Sequence, residues 1–369
     1  MNIICDKFLL SGAIDGVSRA VTNRSGNPVL EGIHMVADGF QLTLTGYDLE
    51  MAITITIEAN VRTPGECVVN AKLLGDMVRR MPSDQVSIEL QDNGSVTIKG
   101  GVAEFELTAL NTNDFPELPK PGADPTLTIS AACLHDIVDK TIYAVSQDDK
   151  KPAHTGELFV IEPDKLTVVA LDGYRLAIVE RKVEAQKEIR IIIPSKTMME
   201  VNKLIGDKEE DMVVISANRR YVVFSTNQGY TILSRLIEGE FLNYESVLPH
   251  GYRTKVTLDT RDFIESIERA SLIITERLKN PLRIQFTPEK VMVRCQTSLG
   301  KVADEFDAKT EGEKIEIGFN NRYLLDALRA SRCEQVTLEI SGPLSPVKIL
   351  PSEGEDFIYL VLPVRFKND

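Results

Sequence analysis

This sequence says the same thing three times. Residues 71–81 place apolar side chains at Leu73, Leu74, Met77, Val78 and Met81, the spacing of one helix face, and Pro82 with Ser83 ends the run. Val86, Ile88 and Leu90 then alternate as on a half-buried strand, Asp92-Asn93-Gly94 reads as a turn, and residues 96–98 start a second strand. Residues 195–205 leading into 212–216, and 321–329 leading into 336–340, repeat that order of helix then strand. In all three helices a basic residue is followed by an acid four positions on and a second basic residue at seven: Lys72/Asp76/Arg79, Lys196/Glu200/Lys203 and Arg322/Asp326/Arg329. The helices lie 124 and 126 positions apart. Other markers keep those offsets: Asp48 with Asp172, Pro28 with Pro152, Gly32 with Gly156 and Phe115 with Phe241. A repeat of long period decides an architecture before any single residue does.

Each copy also opens with an amphipathic stretch, at 8–21, 134–145 and 263–274, so each reads helix, strands, helix, strands. The segments 41–45, 52–57 and 166–170 alternate with period two, which predicts antiparallel sheets with one face toward a helix layer and an α+β class. The expected domains are 1–124, 125–250 and 251–369, which together fill the 369 residues.

Composition matters chiefly for what it excludes. With 43% hydrophobic and 26% charged residues the chain is neither disordered nor a disulfide scaffold. Its 42 Lys and Arg against 55 Asp and Glu leave a net charge of −13, which by itself disfavours DNA, since phosphates are bound through cations that displace their counterions. No apolar run reaches the roughly 18 residues of a membrane span, and residues 1–6 carry no export signal, so a cytoplasmic location and no membrane partner are expected. Cys5, Cys67, Cys133, Cys295 and Cys333 are far apart with no CxxC pair, and read as reduced, small apolar residues. There is no phosphate-binding loop, dinucleotide fingerprint, HExxH or nucleophile elbow, and His34, His135, His154 and His250 stand alone. No enzyme and no cofactor are expected. A hydrolase built on Asp148 and Asp172 would lack a nucleophile or metal motif, and both acids sit in turn-like contexts where Asp bonds locally.

The repeated helices revise the charge argument. Residues seven apart lie two turns along one face, and each of these helices is net positive within an acidic chain. Lys72, Arg79, Arg80, Lys196, Lys203, Arg322 and Arg329 therefore form three equivalent basic faces, which suit one long anionic object. A solvated, salt-bridged surface is the competing reading.

Thr45-Gly46-Tyr47-Asp48-Leu49-Glu50, Asp172-Gly173-Tyr174-Arg175-Leu176, Asp114-Phe115-Pro116, Gly318-Phe319-Asn320, Tyr323-Leu324 and Leu362-Pro363-Val364-Arg365 occur in the order and spacing of a known family. Over essentially its whole length the chain resembles the bacterial DNA polymerase III β subunits, the sliding clamps. The resemblance implies three tandem DNA-clamp domains and a ring-forming head-to-tail homodimer, with helices lining the hole and sheets outside. Such a ring encircles duplex DNA without reading bases and acts as a replication processivity factor. Arg24, Gln147, Lys150 and Lys151 match the family's DNA-facing loops. The implied partners are the DNA polymerase III alpha subunit, other polymerases, the clamp loader and repair proteins, each bound through a short motif with a glutamine and hydrophobic residues. The matching peptide pocket comprises Leu171, Gly173, Tyr174, Arg175, Leu176, Leu242, Val247, Asn320, Tyr323, Leu344, Leu360, Leu362, Pro363, Val364 and Arg365. Ring closure is implied to set Phe105 and Leu107 against Leu272 and Ile273. Lys151-Pro152-Ala153-His154 departs from the family's usual Arg-Pro followed by apolar residues, and Ser246 and Pro346 fall at variable pocket positions. The alternative is a three-domain peptide-binding hub that never encloses DNA.

Overall fold

The computed structural model describes residues 1–22, 26–120, 122, 124–206, 208, 210–275 and 280–366. Each copy of the repeat contributes two α-helices: α1 (Lys7–Val17) and α2 (Ala71–Arg80), α3 (Ala131–Thr141) and α4 (Ser195–Leu204), α5 (Thr260–Ser271) and α6 (Asn321–Ser331). Short polar side chains start them. Asp6 accepts from the amides of Phe8 and Leu9, Asn70 from Leu73, Asp259 from Asp262 and Asn320 from Arg322, which satisfies first-turn donors that have no partner in their own helix. Met81, extended because Pro82 follows, terminates α2.

The fold divides into two compact units, Met1–Leu134 with Lys196–Leu236 and His135–Ser195 with Ile237–Asp369. In the first unit a five-stranded antiparallel sheet runs Asn60–Thr63, Asn2–Asp6, Gln85–Leu90, Ser95–Gly100 and Ala103–Thr108. Its eight-stranded sheet runs Leu127–Ser130, Met212–Ala217, Tyr221–Thr226, Tyr230–Arg235, Met51–Glu58, Gln41–Tyr47, Gly32–Asp38 and Gly65–Asn70. The second unit has a nine-stranded sheet, in the order Ile189–Pro194, Gly156–Ile161, Lys165–Leu171, Arg175–Lys182, Phe357–Val361, Val347–Pro351, Gln335–Ile340, Thr254–Asp259 and Lys309–Gly312. Its smaller sheet runs Gly300–Asp307, Lys290–Thr297, Leu282–Phe286 and Ile315–Phe319.

Strand pairing explains why the two units cut across the three copies. Met51–Glu58 of the first copy pairs with Tyr230–Arg235 of the second, setting Ala52 opposite Leu233. Arg175–Lys182 of the second copy pairs with Phe357–Val361 of the third, setting Leu176 opposite Leu360. Both joints are continuous antiparallel sheet, so the middle copy is shared between the units.

Each core lies where helix stripes meet sheet. Leu10, Ile14 and Val17 of α1 with Leu74 and Val78 of α2 are buried in the first unit, as are Phe263 and Ile267 of α5 with Leu324 and Leu328 of α6 in the second. Each such side chain contributes about 1.5–3 kcal/mol on leaving water. Gly46 is needed where α1 comes down on its sheet, because a Cβ there would stand 2.1 Å from the Val17 carbonyl oxygen. No disulfide joins the five cysteines; burial pushes Cys67 up to about 12 and Cys5 to about 11, the latter with help from the charge of Asp6. Cys5, Cys67 and Cys295 are buried as small apolar residues, while Cys133 and Cys333 are half-buried.

Candidate peptide-docking site

In the second unit the hairpin between Lys165–Leu171 and Arg175–Lys182 turns on Asp172. One carboxylate oxygen of Asp172 accepts from the amides of Tyr174 at 2.8 Å and Arg175 at 3.0 Å. Gly173 takes φ +91°, a left-handed conformation that glycine adopts without strain. Such a turn aims Tyr174 outward and Arg175 inward. Tyr174 is 58% exposed and stacks on Tyr323 of α6, with ring centroids 5.6 Å apart and planes inclined by 19°.

Beneath this stack lies an apolar floor. Leu171, Leu176 and Leu360 are nearly fully buried in one cluster with Leu158, Val169, Ile178, Ile192 and Phe241. Ala153, Val160, Ile237, Tyr244, Leu248 and Ile358 pack against it, and Leu242, Val247, Leu344, Leu362 and Val364 of the same unit are exposed. Residues 362–366 form one wall: the Leu362 amide donates to the Tyr174 carbonyl and the Val364 amide to the Gly318 carbonyl, both at 2.8 Å. Gly318 permits this approach, since a Cβ would lie 2.4 Å from the Val364 oxygen and 2.9 Å from the Phe366 ring. The Phe366 ring also carries the Arg283 guanidinium, 4.2 Å from its centroid. Asn320 stands at the pocket's edge because it caps α6, and Pro363 is half-buried while Arg365 is exposed. All the sequence-predicted pocket residues belong to the second unit, and contacts join Leu171, Leu176 and Leu360 in one cluster and Tyr174 with Tyr323 and Leu362. His154, the departure from the family pattern, packs edge-on against Phe241 of the floor cluster at 5.6 Å. Burial, and then the charge of Lys151, hold its pKa below the usual histidine value.

Arg175, expected to contact the peptide, is held by four side chains of its own unit. Its guanidinium donates to Asp172 at 3.0 Å and to Asp326 of α6 at 2.5 Å, and it lies over the rings of Tyr323 at 4.9 Å and Tyr143 at 5.4 Å. Asp326 and Tyr143 are absent from the sequence-predicted pocket. Asp326 carries one signal, its place as the acid of the repeated basic–acid–basic pattern. Asp148, the other acid of the hydrolase reading, accepts from the Lys150 amide in a turn of its own.

The basic helix faces are largely engaged with acids. In the first unit Arg79 meets Asp15 at 2.6 Å and Asp76 at 2.9 Å, and Arg80 lies 3.4 Å from Asp76. Lys203 meets Glu200 at 2.8 Å and Lys196 meets Asp48 at 2.5 Å. In the second unit Arg329 meets Glu268 at 2.6 Å. Lys72 and Arg322 are exposed, with no ion pair among the described residues. Gln147, Lys150 and Lys151 lie on an exposed loop, and Arg24 falls outside the described residues. The cations in these pairs are exposed while Asp48 and Glu200 are largely shielded, and a phosphate can compete for each cation. Phe105 and Leu107 are half-buried on Ala103–Thr108, an edge strand, while Leu272 is 82% exposed just past α5 and Ile273 is half-buried.

Comparison with known proteins agrees with this geometry along the whole chain. Three family models match in succession: DNA polymerase III beta subunit, N-terminal domain, over residues 1–119; central domain, over 128–243; and C-terminal domain, over 245–365. The beta sliding clamp of Staphylococcus aureus is 30% identical over 359 residues, covering 94% of each chain. The beta sliding clamp of Bacillus subtilis is 28% identical, covering 99% of this chain and 100% of that one. Among solved structures, a putative DNA polymerase III beta subunit from Eubacterium rectale superposes with a TM-score of 0.95 at 32% identity, covering 99% of each chain. The Bacillus subtilis DNA polymerase sliding clamp superposes with a TM-score of 0.96 at 28% identity over the full length of both. Three tandem clamp domains of helices and antiparallel sheets, a full-length match to named clamps and 30% identity leave one conclusion: the chain belongs to the DNA polymerase III beta subunit family, the beta sliding clamps.

Proposed function

We propose that this clamp works as a cytoplasmic, non-enzymatic, head-to-tail homodimer of six domains, with boundaries near residues 124 and 250 in each chain, that encircles duplex DNA. As a replication processivity factor it keeps a polymerase on its template because a closed ring cannot dissociate sideways, while weak phosphate contacts leave it free to slide. The exposed Lys72 and Arg322, the pairs at Arg79, Arg80, Lys196, Lys203 and Arg329, and the loop with Gln147, Lys150 and Lys151 supply those contacts.

The observation that carries the ring is a matched pair of unpaired sheet edges. Ala103–Thr108 ends the five-stranded sheet and Gly300–Asp307 ends the four-stranded one, and each alternates half-buried with exposed residues. Exposed edges are liabilities that proteins cover. Joining the first edge of one protomer to the second edge of its partner satisfies both and places Phe105 and Leu107 near Leu272 and Ile273. The apolar site in the second unit then takes short linear motifs of the DNA polymerase III alpha subunit, other polymerases, the clamp loader and repair proteins, with the exposed apolar residues Leu242, Val247, Leu344, Leu362 and Val364 supplying affinity over the buried leucines and the polar edge fixing register.

Loading by a clamp loader onto nicked circular plasmid tests this reading. The ring stays bound to the circle and is released when the plasmid is linearised; retention independent of topology returns the chain to a hub that does not enclose DNA.

A further inference from the structure

The second copy's hairpin and the third copy's helix α6 are tied together by an arginine held between two carboxylates and two tyrosine rings, where the first unit ties the matching hairpin and α4 through the ion pair of Asp48 with Lys196. Arg175 lies between two carboxylates, Asp172 on its own turn and Asp326 on α6, and between two rings, Tyr143 and Tyr323. Its side chain is only 11% exposed, so the pairs are partly shielded from water and worth more than surface pairs. Asp326 is one helical turn beyond Tyr323, on the same face of α6, and Asn320 caps that helix. Fixing Asp326 therefore fixes the first turn of α6, which carries both the polar edge of the pocket and the ring on which Tyr174 stacks.

The equivalent positions of the first unit share ion pairs between copies but not the arginine set between tyrosine rings. Asp76 and Glu200, the acids matching Asp326, bind the basic residue of their own helix, Arg79 at 2.9 Å and Lys203 at 2.8 Å, and Glu200 also accepts from Arg19 of the first copy at 3.0 Å, with no aromatic ring in either set among the described residues. Where the second unit has Tyr174, Arg175 and Tyr323, the first has Glu50, Met51 and Thr197. In the third copy the acid turns away from Arg329, which binds Glu268 instead.

We propose that Asp326 is a positioning residue for peptide docking: through Arg175 it holds Tyr323 and Asn320 in the conformation that a bound motif needs. Arg175 acts from inside the wall, and the peptide meets the tyrosine rings that it supports. Prior ordering of those groups lowers the entropy that binding must overcome. The cation–π contacts add to the hold on the rings. This inference rests on the pocket assignment above.

The test uses the full-length protein and a fluorescein-labelled peptide carrying one glutamine, a leucine and a phenylalanine, read by polarisation. Asp326→Asn is expected to weaken binding about tenfold and to change the near-ultraviolet circular dichroism of the tyrosines, which no tryptophan obscures because the chain has none. Asp326→Glu is expected to restore most of both. If Asp326→Asn fails to fold, Arg175→Lys tests the same tie, since a lysine keeps the charge without spanning both carboxylates; it is expected to weaken binding to a similar degree. Wild-type affinity in Asp326→Asn or Arg175→Lys, or equal loss in Asp326→Asn and Asp326→Glu, overturns the inference. A wild-type chain that fails to bind the peptide overturns the pocket assignment instead.

Discussion

The two units contain the same joint between copies, with different side chains set over it; the first has a cavity lined by Ala52, Leu118, Val223 and Leu233. Both begin with the same aspartate turn: Asp48 accepts from Glu50 at 3.0 Å and Met51 at 2.7 Å, as Asp172 does from Tyr174 and Arg175. Both lead into a strand that crosses to the next copy. The first joint is floored by Tyr47, Ala52 and Leu233, the second by Leu171, Leu176 and Leu360 at matched positions. Side chains above the floor diverge more. Glu50 and Thr197 stand where the second unit has Tyr174 and Tyr323, and Thr197 is buried with its hydroxyl bonded to Ser234 at 2.6 Å. A repeat fixes the backbone frame, and a handful of side chains decide which frame becomes a site.

Exchanging floor residues is the strongest way to break this difference. Leu176→Ala gives the second joint the residue of the first, and is expected to cost about 2–5 kcal/mol of stability together with most peptide affinity, read by urea denaturation and fluorescence polarisation. The reverse change, Ala52→Leu, overpacks a site that is 1% exposed and is expected to cost about 1–3 kcal/mol without creating a peptide site.

A buried carboxyl gives a second contrast of nearly equal size. Glu157 occupies the position that Ile33 holds one copy earlier, and both are fully buried. Thr141 donates to one Glu157 oxygen at 2.5 Å, while the other oxygen has no partner among the described residues. Burial pushes its pKa from 4.5 to about 8, against the smaller opposing effect of the Thr141 hydrogen bond. Between those values the folded chain keeps a proton that the unfolded chain releases. Stability is therefore expected to fall by about 1.4 kcal/mol per pH unit over that window and to level off above it. Glu157→Gln is expected to flatten that slope in denaturation curves measured from pH 5 to 9, whereas an unchanged slope contradicts the assignment.

The smallest contrast is in the turn itself. Leu49 holds φ +77° where the matching residue is Gly173. Leu49→Gly is expected to stabilise the first unit by up to about 1 kcal/mol, and Gly173→Leu to destabilise the second by a similar amount, both read by calorimetry.

How much of this the sequence reveals depends on how local each feature is. The six helices are legible from apolar spacing and from caps a few residues away, and α2 ends at the proline that predicts its end. The apolar floor is legible only as hydrophobic residues, because Leu176 as core and Leu176 as pocket look alike until Leu360 is placed opposite it. The division of the middle copy between two units is invisible, since it rests on strand pairs between distant segments. Likewise the basic helices read as open cationic faces, while Arg79 and Arg329 find acids on neighbouring helices at Asp15 and Glu268. The pocket's inner tie is the least legible part: Arg175 and Asp326 are 151 positions apart, and only the repeat marks Asp326 as notable.

The account's central claim is that of two equivalent joints only the second takes a peptide. Hydrogen exchange of the full-length protein, with and without the fluorescein-labelled peptide at saturation, tests it directly. Exchange is expected to slow at residues 172–176, at 320–326 and at 360–364, and to stay unchanged at the matched residues 48–52, 194–200 and 233–237. Protection at the first joint equal to that at the second, or confined to the first, would contradict it.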